Sequence, residues 1–350
     1  MPSPTCRCQF GYTGSSCQYP TYYLIALGIV VFLSLLVVSV STILYIRVKK
    51  RRREASLLQQ VDELNTVWQI GDDEIKLDER IGGGGFGDVF RARYRDLTVA
   101  VKTLKCPEDE NDVYEFEREI QFMQTMRHSN IVMFLGAGKF SDKDTPFIVI
   151  EYLEDGSVRD LLDKVDQVIT VRQKLCFCAD VAKGMSFLHT RNPPRIHRDL
   201  KCSNVLVSRN GTIKIADFGL GRQITGSRQT KVRNTTDTTP LNTSFQMSVL
   251  DIGTVRWRAP ELCERKAYST AVDVYSFGIV MWEIWTGELP FGEYRFDYQV
   301  DDAVSAGGRP HIPSDTPTDY RQLIIDCWQH APSNRPTFPV IVQRLDRLFA

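Results

Sequence analysis

Residues 24–46 carry no charged side chain, beginning Leu-Ile-Ala-Leu-Gly-Ile-Val-Val-Phe-Leu. A helix rising about 1.5 Å per residue over that length crosses the roughly 30 Å of hydrocarbon in a bilayer. A signal peptide would need a shorter apolar region, basic residues ahead of it and a small-residue cleavage site, and none of these is written here. Six of the seven residues over 47–53 are basic. Such an excess marks the cytoplasmic flank of a span, and Tyr22, Tyr23 and Tyr45 sit where interfacial aromatics belong. The expectation is a single transmembrane helix over 22–46. Its N-terminal side lies outside the cell and everything after Arg47 in the cytoplasm. The basic run is also expected to touch anionic lipid around the span.

The cysteines follow the same partition. Cys6, Cys8 and Cys17 precede the apolar run, whereas Cys106, Cys176, Cys178, Cys202, Cys263 and Cys327 are spread thinly after it. The first group suits an oxidising compartment and the second reduced thiols. The formal net charge of the 350 residues is zero, which argues against a nucleic-acid partner. The chain is 43% hydrophobic, enough to bury a sizeable core.

Beyond the basic run, residues 47–74 read as a juxtamembrane linker, with Leu57, Leu58, Val61 and Leu64 at helical spacing. Trp68 and Ile70 are expected to pack on the domain C-terminal to them. From Ile75 the alternation to Ile81 predicts a half-buried strand. Thr98 to Lys102 and Phe147 to Ile150 predict two more. Residues 107–126 read as a helix opened by Pro107 and by the acids Glu108, Asp109, Glu110 and Asp112. Helices are expected over 171–190, 272–285, 322–328 and 339–348, and short strands over 205–207 and 213–215. Residues 223–251 are rich in Ser and Thr and predict a long loop. The result is an α+β chain of two lobes, β-rich in front and helical behind.

The chemistry concentrates in Ile-His197-Arg198-Asp199-Leu-Lys201-Cys-Ser-Asn204. A carboxylate can take a hydroxyl proton, an ammonium can neutralise phosphate, and an amide oxygen can ligate Mg²⁺. Phosphoryl transfer needs all three together, because its transition state is mostly charge to be positioned. Upstream stands Gly82-x-Gly84-x-x-Gly87-x-Val89, whose glycines let backbone amides approach phosphate. Then come Val-Ala100-Val-Lys102, three glutamates (Glu115, Glu117 and Glu119) as partners for that lysine, Asp217-Phe218-Gly219, and Arg258-Ala-Pro-Glu261.

In this order the motifs resemble those of eukaryotic protein kinases, over residues 68–350, and most closely the tyrosine-kinase-like group of Raf and mixed-lineage kinases. The resemblance implies a two-lobed kinase fold over 75–350 that binds ATP, Mg²⁺ and protein substrates. Gly82, Gly84, Gly87, Val89, Ala100, Ile150 and Leu206 would contact the nucleotide. Lys102 would hold its phosphates, and family spacing picks Glu119 as the partner of Lys102. Asp199 would orient the substrate hydroxyl and accept its proton, and Lys201 would stabilise the γ-phosphate. Asn204 and Asp217 would hold the metal. Glu261 would pair with Arg335, and Asp273 would hold the backbone at His197 and Arg198.

Lys201 and Thr254 fit serine/threonine specificity. Trp257, the run over 281–287 and Cys327-Trp328 are shared with tyrosine kinases, so tyrosine or dual specificity stands as the alternative. A pseudokinase scaffold is the more distant one, since Lys102, Asp199, Asn204 and Asp217 are all present. The segment 217–261 holds Thr225, Ser227, Thr230 and further hydroxyls, expected to act as a phosphorylation-ordered switch. At the other end, Cys6-x-Cys8-x-x-Gly11-Tyr12-x-Gly14-x-x-Cys17 resembles the closing half of an EGF-like module, with Cys8 and Cys17 closing a short loop. Three of the module's six cysteines are here, so residues 1–21 are read as a partial, extracellular, truncated segment. Dimerisation is a further expectation for a receptor-like chain of this kind.

Overall fold

The computed structural model describes residues 68–349 except 84–86, 143, 165–167, 221, 224–254 and 265, and before them residues 12–13, 19–20, 29–30 and 32–35. The chain divides into two compact units, 1–67 and 68–350. In the first, Tyr12–Thr13 pairs antiparallel with Tyr19–Pro20. Ile29, Val30, Phe32, Leu33 and Leu35 are helical and 54% to 63% exposed. No helix among the described residues is long and apolar enough to cross a membrane. Most of the expected span, the cysteines of the EGF-like pattern and the basic run lie outside the described residues.

The second unit opens with Trp68, inside the stretch read as linker. Residues 68–70 lie on the sheet because hydrogen bonds fix them there. The Ala137 N–H donates to the Trp68 carbonyl and the Ile70 N–H to the Ala137 carbonyl, both at 2.9 Å. Five strands come next, β1 (Ile75–Gly83), β2 (Gly87–Tyr94), β3 (Leu97–Leu104), β4 (Phe134–Phe140) and β5 (Thr145–Glu151), in the order β1-β2-β3-β5-β4, all antiparallel. Alternation along β3 and β5 decides what faces the rest of the molecule. Val99, Val101, Phe147 and Val149 form one small core with Ile70 and Ala92. Lys102 and Ile148, paired across the strands, point the other way, as do Ala100 and Ile150.

In two places the sheet differs from what the sequence predicts. The strand from Ile75 is not half-buried: Leu77 is 37% exposed and Ile81 43%. It is the edge strand of the sheet, and of its apolar side chains Ile75 packs on the small core while Leu77 and Ile81 face solvent. The strands β2 and β4 were not foreseen. In β4 two glycines lower strand propensity, but a Cβ at Gly138 would sit 2.2 Å from the Ile70 carbonyl oxygen. The glycine is there so that the 68–70 backbone can approach.

Helix α1 (Glu110–Gln124) crosses between β3 and β4. It starts three residues later than Pro107 predicts, because Asp109 is the N-cap and accepts from the N–H groups of Asn111 and Asp112. The helical lobe contains α2 (Val158–Leu162), α3 (Val171–His189), α4 (Pro260–Cys263), α5 (Ala271–Thr286), α6 (Asp297–Ser305), α7 (Thr318–Cys327) and α8 (Phe338–Arg347). Short strands β6 (Arg195–Ile196), β7 (Val205–Val207), β8 (Ile213–Ile215) and β9 (Arg222–Gln223) pair β7 with β8 and β6 with β9. Helix α5 is buried over almost its whole length and is the axis of this lobe. It ends at Gly287 in the left-handed region (φ 77°), the usual helix stop.

Candidate active site

A buried ion pair ties the sheet to α1. Lys102 on β3 donates to both Glu119 oxygens, at 2.8 and 2.9 Å. Of the three glutamates on α1, Glu119 is buried, Glu117 is exposed, and Glu115 pairs with Arg118 one turn away. The burial of Phe116, Glu119 and Met123 shows why: they share the inward face of the helix. Lys102 also reaches Asp217 Oδ1 at 3.0 Å. Burial alone would lower the lysine's pKa, but the Asp217 and Glu119 carboxylates outweigh it and raise it. Glu119 is pushed up by burial, with the ammonium opposing. Asp217 is held at about 2 by the Lys102 charge, against burial.

That shift sets a sign for acid stability. A carboxylate depressed from its usual 3.8 to about 2 stabilises the fold fully above the first value and loses that contribution as pH falls through the second. The side chain is 46% exposed, so solvent screens the pair and the effect is modest. Urea midpoints of the wild type and Asp217→Asn should differ by a constant amount above about pH 4 and converge below it. A gap that widens on acidification would contradict the pairing.

Backbone strain marks the same place. Asp217 has φ 59° and Arg198 φ 67°, left-handed values that bulky L residues take only where surroundings impose them. For Asp217 the imposing contacts come from its neighbour: Phe218 is 1% exposed and packs on Phe122 and His197 at centroid distances of 5.4 and 5.0 Å. For Arg198 they come from Asp273 on α5, which accepts from the N–H groups of His197 (2.9 Å) and Arg198 (2.8 Å) and bonds His189 Nε2 at 2.8 Å. His197 Nδ1 accepts from the Asp199 N–H, so its Nε2 donates to the Ala216 carbonyl at 3.1 Å. One imidazole thus ties the strand before Asp217 to the loop at Asp199.

Asp199 sits at the centre of that loop. Its Oδ2 accepts from Asn204 Nδ2 at 2.8 Å and meets Lys201 Nζ at 3.2 Å. Asn204 Nδ2 also donates to the Asp199 carbonyl at 2.8 Å. The other carboxylate oxygen, Oδ1, is buried without a partner among the described residues. Burial raises the Asp199 pKa, with Lys201 opposing. Arg198 donates to the Leu220 carbonyl and to the Tyr268 hydroxyl, and its Nη2 is buried with no partner among the described residues.

Of the expected nucleotide contacts, Gly82 and Lys102 both pair with Val89, and Ala100 with Ile150, across adjacent strands. Gly87 opens β2, where a Cβ would lie 2.3 Å from the Thr103 carbonyl oxygen. Leu206 lies on β7 in the helical lobe and bridges to Ser157, the N-cap of α2. Gly84 and Thr254 lie outside the described residues, as do Thr225, Ser227 and Thr230. The oxygen ligands offered by Asp217 and Asn204 are the hard donors that Mg²⁺ takes, and an ammonium already held between two carboxylates is suited to phosphate. The residues present therefore fit ATP with Mg²⁺.

The sequence reading did not foresee Glu283 on α5, which bonds Arg159, Cys202 and Trp257. Its signal was available: an acid inside an apolar helix, the same signal that singles out Asp273. The structural pair Glu261–Arg335 is present, at 2.7 and 2.8 Å.

The family model described as protein tyrosine and serine/threonine kinase matches residues 75–345. A protein of Acanthamoeba polyphaga mimivirus with the name "Putative serine/threonine-protein kinase/receptor R831" is 39% identical over 79% of this chain and 16% of its own. The Arabidopsis thaliana serine/threonine-protein kinases STY17 and CTR1 are 36% and 35% identical, over 80% and 81% of this chain and 46% and 32% of theirs. The chain thus spans less than half the length of these curated relatives. With the matched region coinciding with the unit that holds the Lys102–Glu119 pair and the Asp199 loop, the chain belongs to the protein tyrosine and serine/threonine kinase family.

Proposed function

We propose that this chain is a membrane-anchored, receptor-like kinase that transfers the γ-phosphate of ATP to serine or threonine hydroxyls of protein substrates. The observation that carries the chemistry is the unpartnered, buried Asp199 Oδ1 beside Lys201 and Asn204. That oxygen accepts the proton of the substrate hydroxyl. Lys201 neutralises charge on the transferred group, and Lys102, fixed by Glu119, holds the other phosphates. Asn204 and Asp217 would hold Mg²⁺, which when bound neutralises phosphate charge. Serine/threonine specificity is supported by Lys201 and by the names of the relatives. The test is phospho-amino-acid analysis of the product made by the full chain, beside Asp199→Ala. Phosphotyrosine alone would refute the specificity, and equal activity in both chains would refute the mechanism.

The anchoring rests on the charge-free residues 24–46 and the six basic residues beyond them. The name of the mimivirus relative, which includes "receptor", is consistent with it. On this reading residues 1–21 are an extracellular, EGF-like segment and the kinase lies in the cytoplasm, with dimerisation as the mode of signalling. In sealed inside-in vesicles from expressing cells, protease should remove an N-terminal tag and spare the kinase unit. Release of the intact chain by alkaline carbonate would contradict the span.

A further inference from the structure

Helix α5 carries two acids among its apolar residues, Asp273 and Glu283, and neither exposes any side-chain surface. Asp273 holds the front of the Asp199 loop through the N–H groups of residues 197 and 198. Glu283 holds the back. Its Oε2 accepts from the Cys202 N–H at 3.4 Å and from the Trp257 indole N–H at 2.9 Å. Its Oε1 accepts from Arg159 Nη1 at 3.3 Å. Cys202 lies between Lys201 and Asn204, so the contact falls inside the group of residues that frames Asp199.

Three separate segments therefore converge on one carboxylate: the Asp199 loop, the turn at Trp257 just after residues 224–254, and α2. An apolar side chain of similar size would fill the same space without the desolvation of a charge. A buried acid is needed where several fixed donors must be held at once. Arg159 is itself oriented for the pairing, with its Nη2 held by the Gly287 carbonyl at 2.8 Å and by Asp163 at 2.7 Å.

We infer that Glu283 is a positioning residue for phosphoryl transfer. It fixes the rear of the loop that carries Asp199, Lys201 and Asn204, and it makes that geometry depend on Trp257. The inference rests on the roles proposed above for those three residues. Glu283 touches no reacting atom and lies apart from the Lys102–Glu119–Asp217 group, so its loss falls mainly on turnover and only weakly on nucleotide affinity.

The conservative change Glu283→Gln discriminates well. Both carboxylate oxygens accept, and an amide has only one acceptor, so in either orientation an NH₂ group faces a donor. Steady-state kinetics of the full chain should show kcat lowered on the order of tenfold to a hundredfold, the scale of a small misplacement of catalytic groups. The KM for ATP should stay within about twofold of wild type, since no nucleotide contact is removed. Glu283→Asp, which keeps the charge, should recover part of the loss. Trp257→Phe keeps a ring but removes the indole donor. It should lower kcat about tenfold, the lower end of what one hydrogen bond to a charged group is worth. Added to Glu283→Leu, which has no acceptor at all, Trp257→Phe should lower kcat little further, because the bond it breaks is already gone.

A folded Glu283→Gln chain with wild-type kcat overturns the inference. So does a double variant in which the two losses simply multiply, or a rise in the ATP KM that accounts for the loss. If Glu283→Gln does not fold, Trp257→Phe decides: a wild-type kcat there overturns the inference, and a lowered kcat at unchanged ATP KM supports it. Asp199→Ala run in parallel separates the two levels. If that variant keeps its activity, the proposed roles in the loop are wrong, whatever Glu283 does.

Discussion

Asp199→Ala is expected to lower kcat by about 10²–10⁴, the contribution of a positioned general base, while the protein stays folded. The structure narrows which part of the side chain matters. Oδ2 is already engaged by Asn204 and Lys201, and Oδ1 is buried with no partner among the described residues. Alanine removes both oxygens, so Asn204 and Lys201 also lose a partner. Asn204 keeps its bond to the Asp199 backbone carbonyl, which limits the collapse. Asparagine at this position restores an acceptor of the right size that takes up no proton at neutral pH. Asp199→Asn should therefore resemble alanine in kcat. Neither change touches the Lys102–Glu119 pair, so ATP should protect the variants from thermal unfolding as it protects the wild type. Initial rates with a protein substrate check the first point and ligand-dependent melting the second. An alanine variant within tenfold of wild type in kcat would remove Asp199 from the mechanism.

The loop at Asp199 was legible in the sequence because its chemistry is local: three residue types within six positions. Glu119 was chosen from three glutamates by family spacing, and its burial on the inward face of α1 agrees with that choice. What the sequence did not show is whatever depends on distant pairing. The edge position of β1 cannot be read from its own alternation. It comes from β2 pairing on one side and, among the described residues, no strand on the other. The strand β4 hides behind two glycines whose reason lies in the backbone at 68–70. Glu283 was visible as an odd acid in an apolar helix, but its partners come from residues 159, 202 and 257, which no local pattern connects. Helix starts moved where a cap outweighed a proline, as at Asp109. The structural acids illustrate the same division. Asp273 and Glu261 stand in recognisable motifs, and their partners were foreseen only through the resemblance, because a buried carboxylate states a need for donors without naming them.

Arg335→Met is expected to destabilise the kinase unit by about 3–5 kcal/mol, the effect of breaking one side of a buried ion pair. Arg335 exposes none of its side chain, and Glu261 only 5%. Every guanidinium proton has an acceptor. Nη1 serves Glu261 Oε1 and the Ala271 carbonyl, Nη2 serves Glu261 Oε2 and the His330 carbonyl, and Nε serves the Gln329 carbonyl. Methionine fills the space but leaves the carboxylate of Glu261 without a counter-charge inside the protein. Three carbonyls lose their donor as well. Lysine keeps the charge, yet its three protons on one nitrogen cannot reach acceptors arranged for a planar fork, so Arg335→Lys should recover only part of the loss. Pairing Arg335→Met with Glu261→Gln removes the stranded charge and should restore more than either single change predicts by addition. The pair also joins α4, which lies just beyond the segment 224–254, to the turn before α8. Loss of the pair should therefore loosen α4 before the sheet unfolds. Urea unfolding of the full chain gives the first quantity, and amide exchange over 260–263 the second. A loss below about 1 kcal/mol would show that the interior relaxes around the empty site, contrary to the packing seen here.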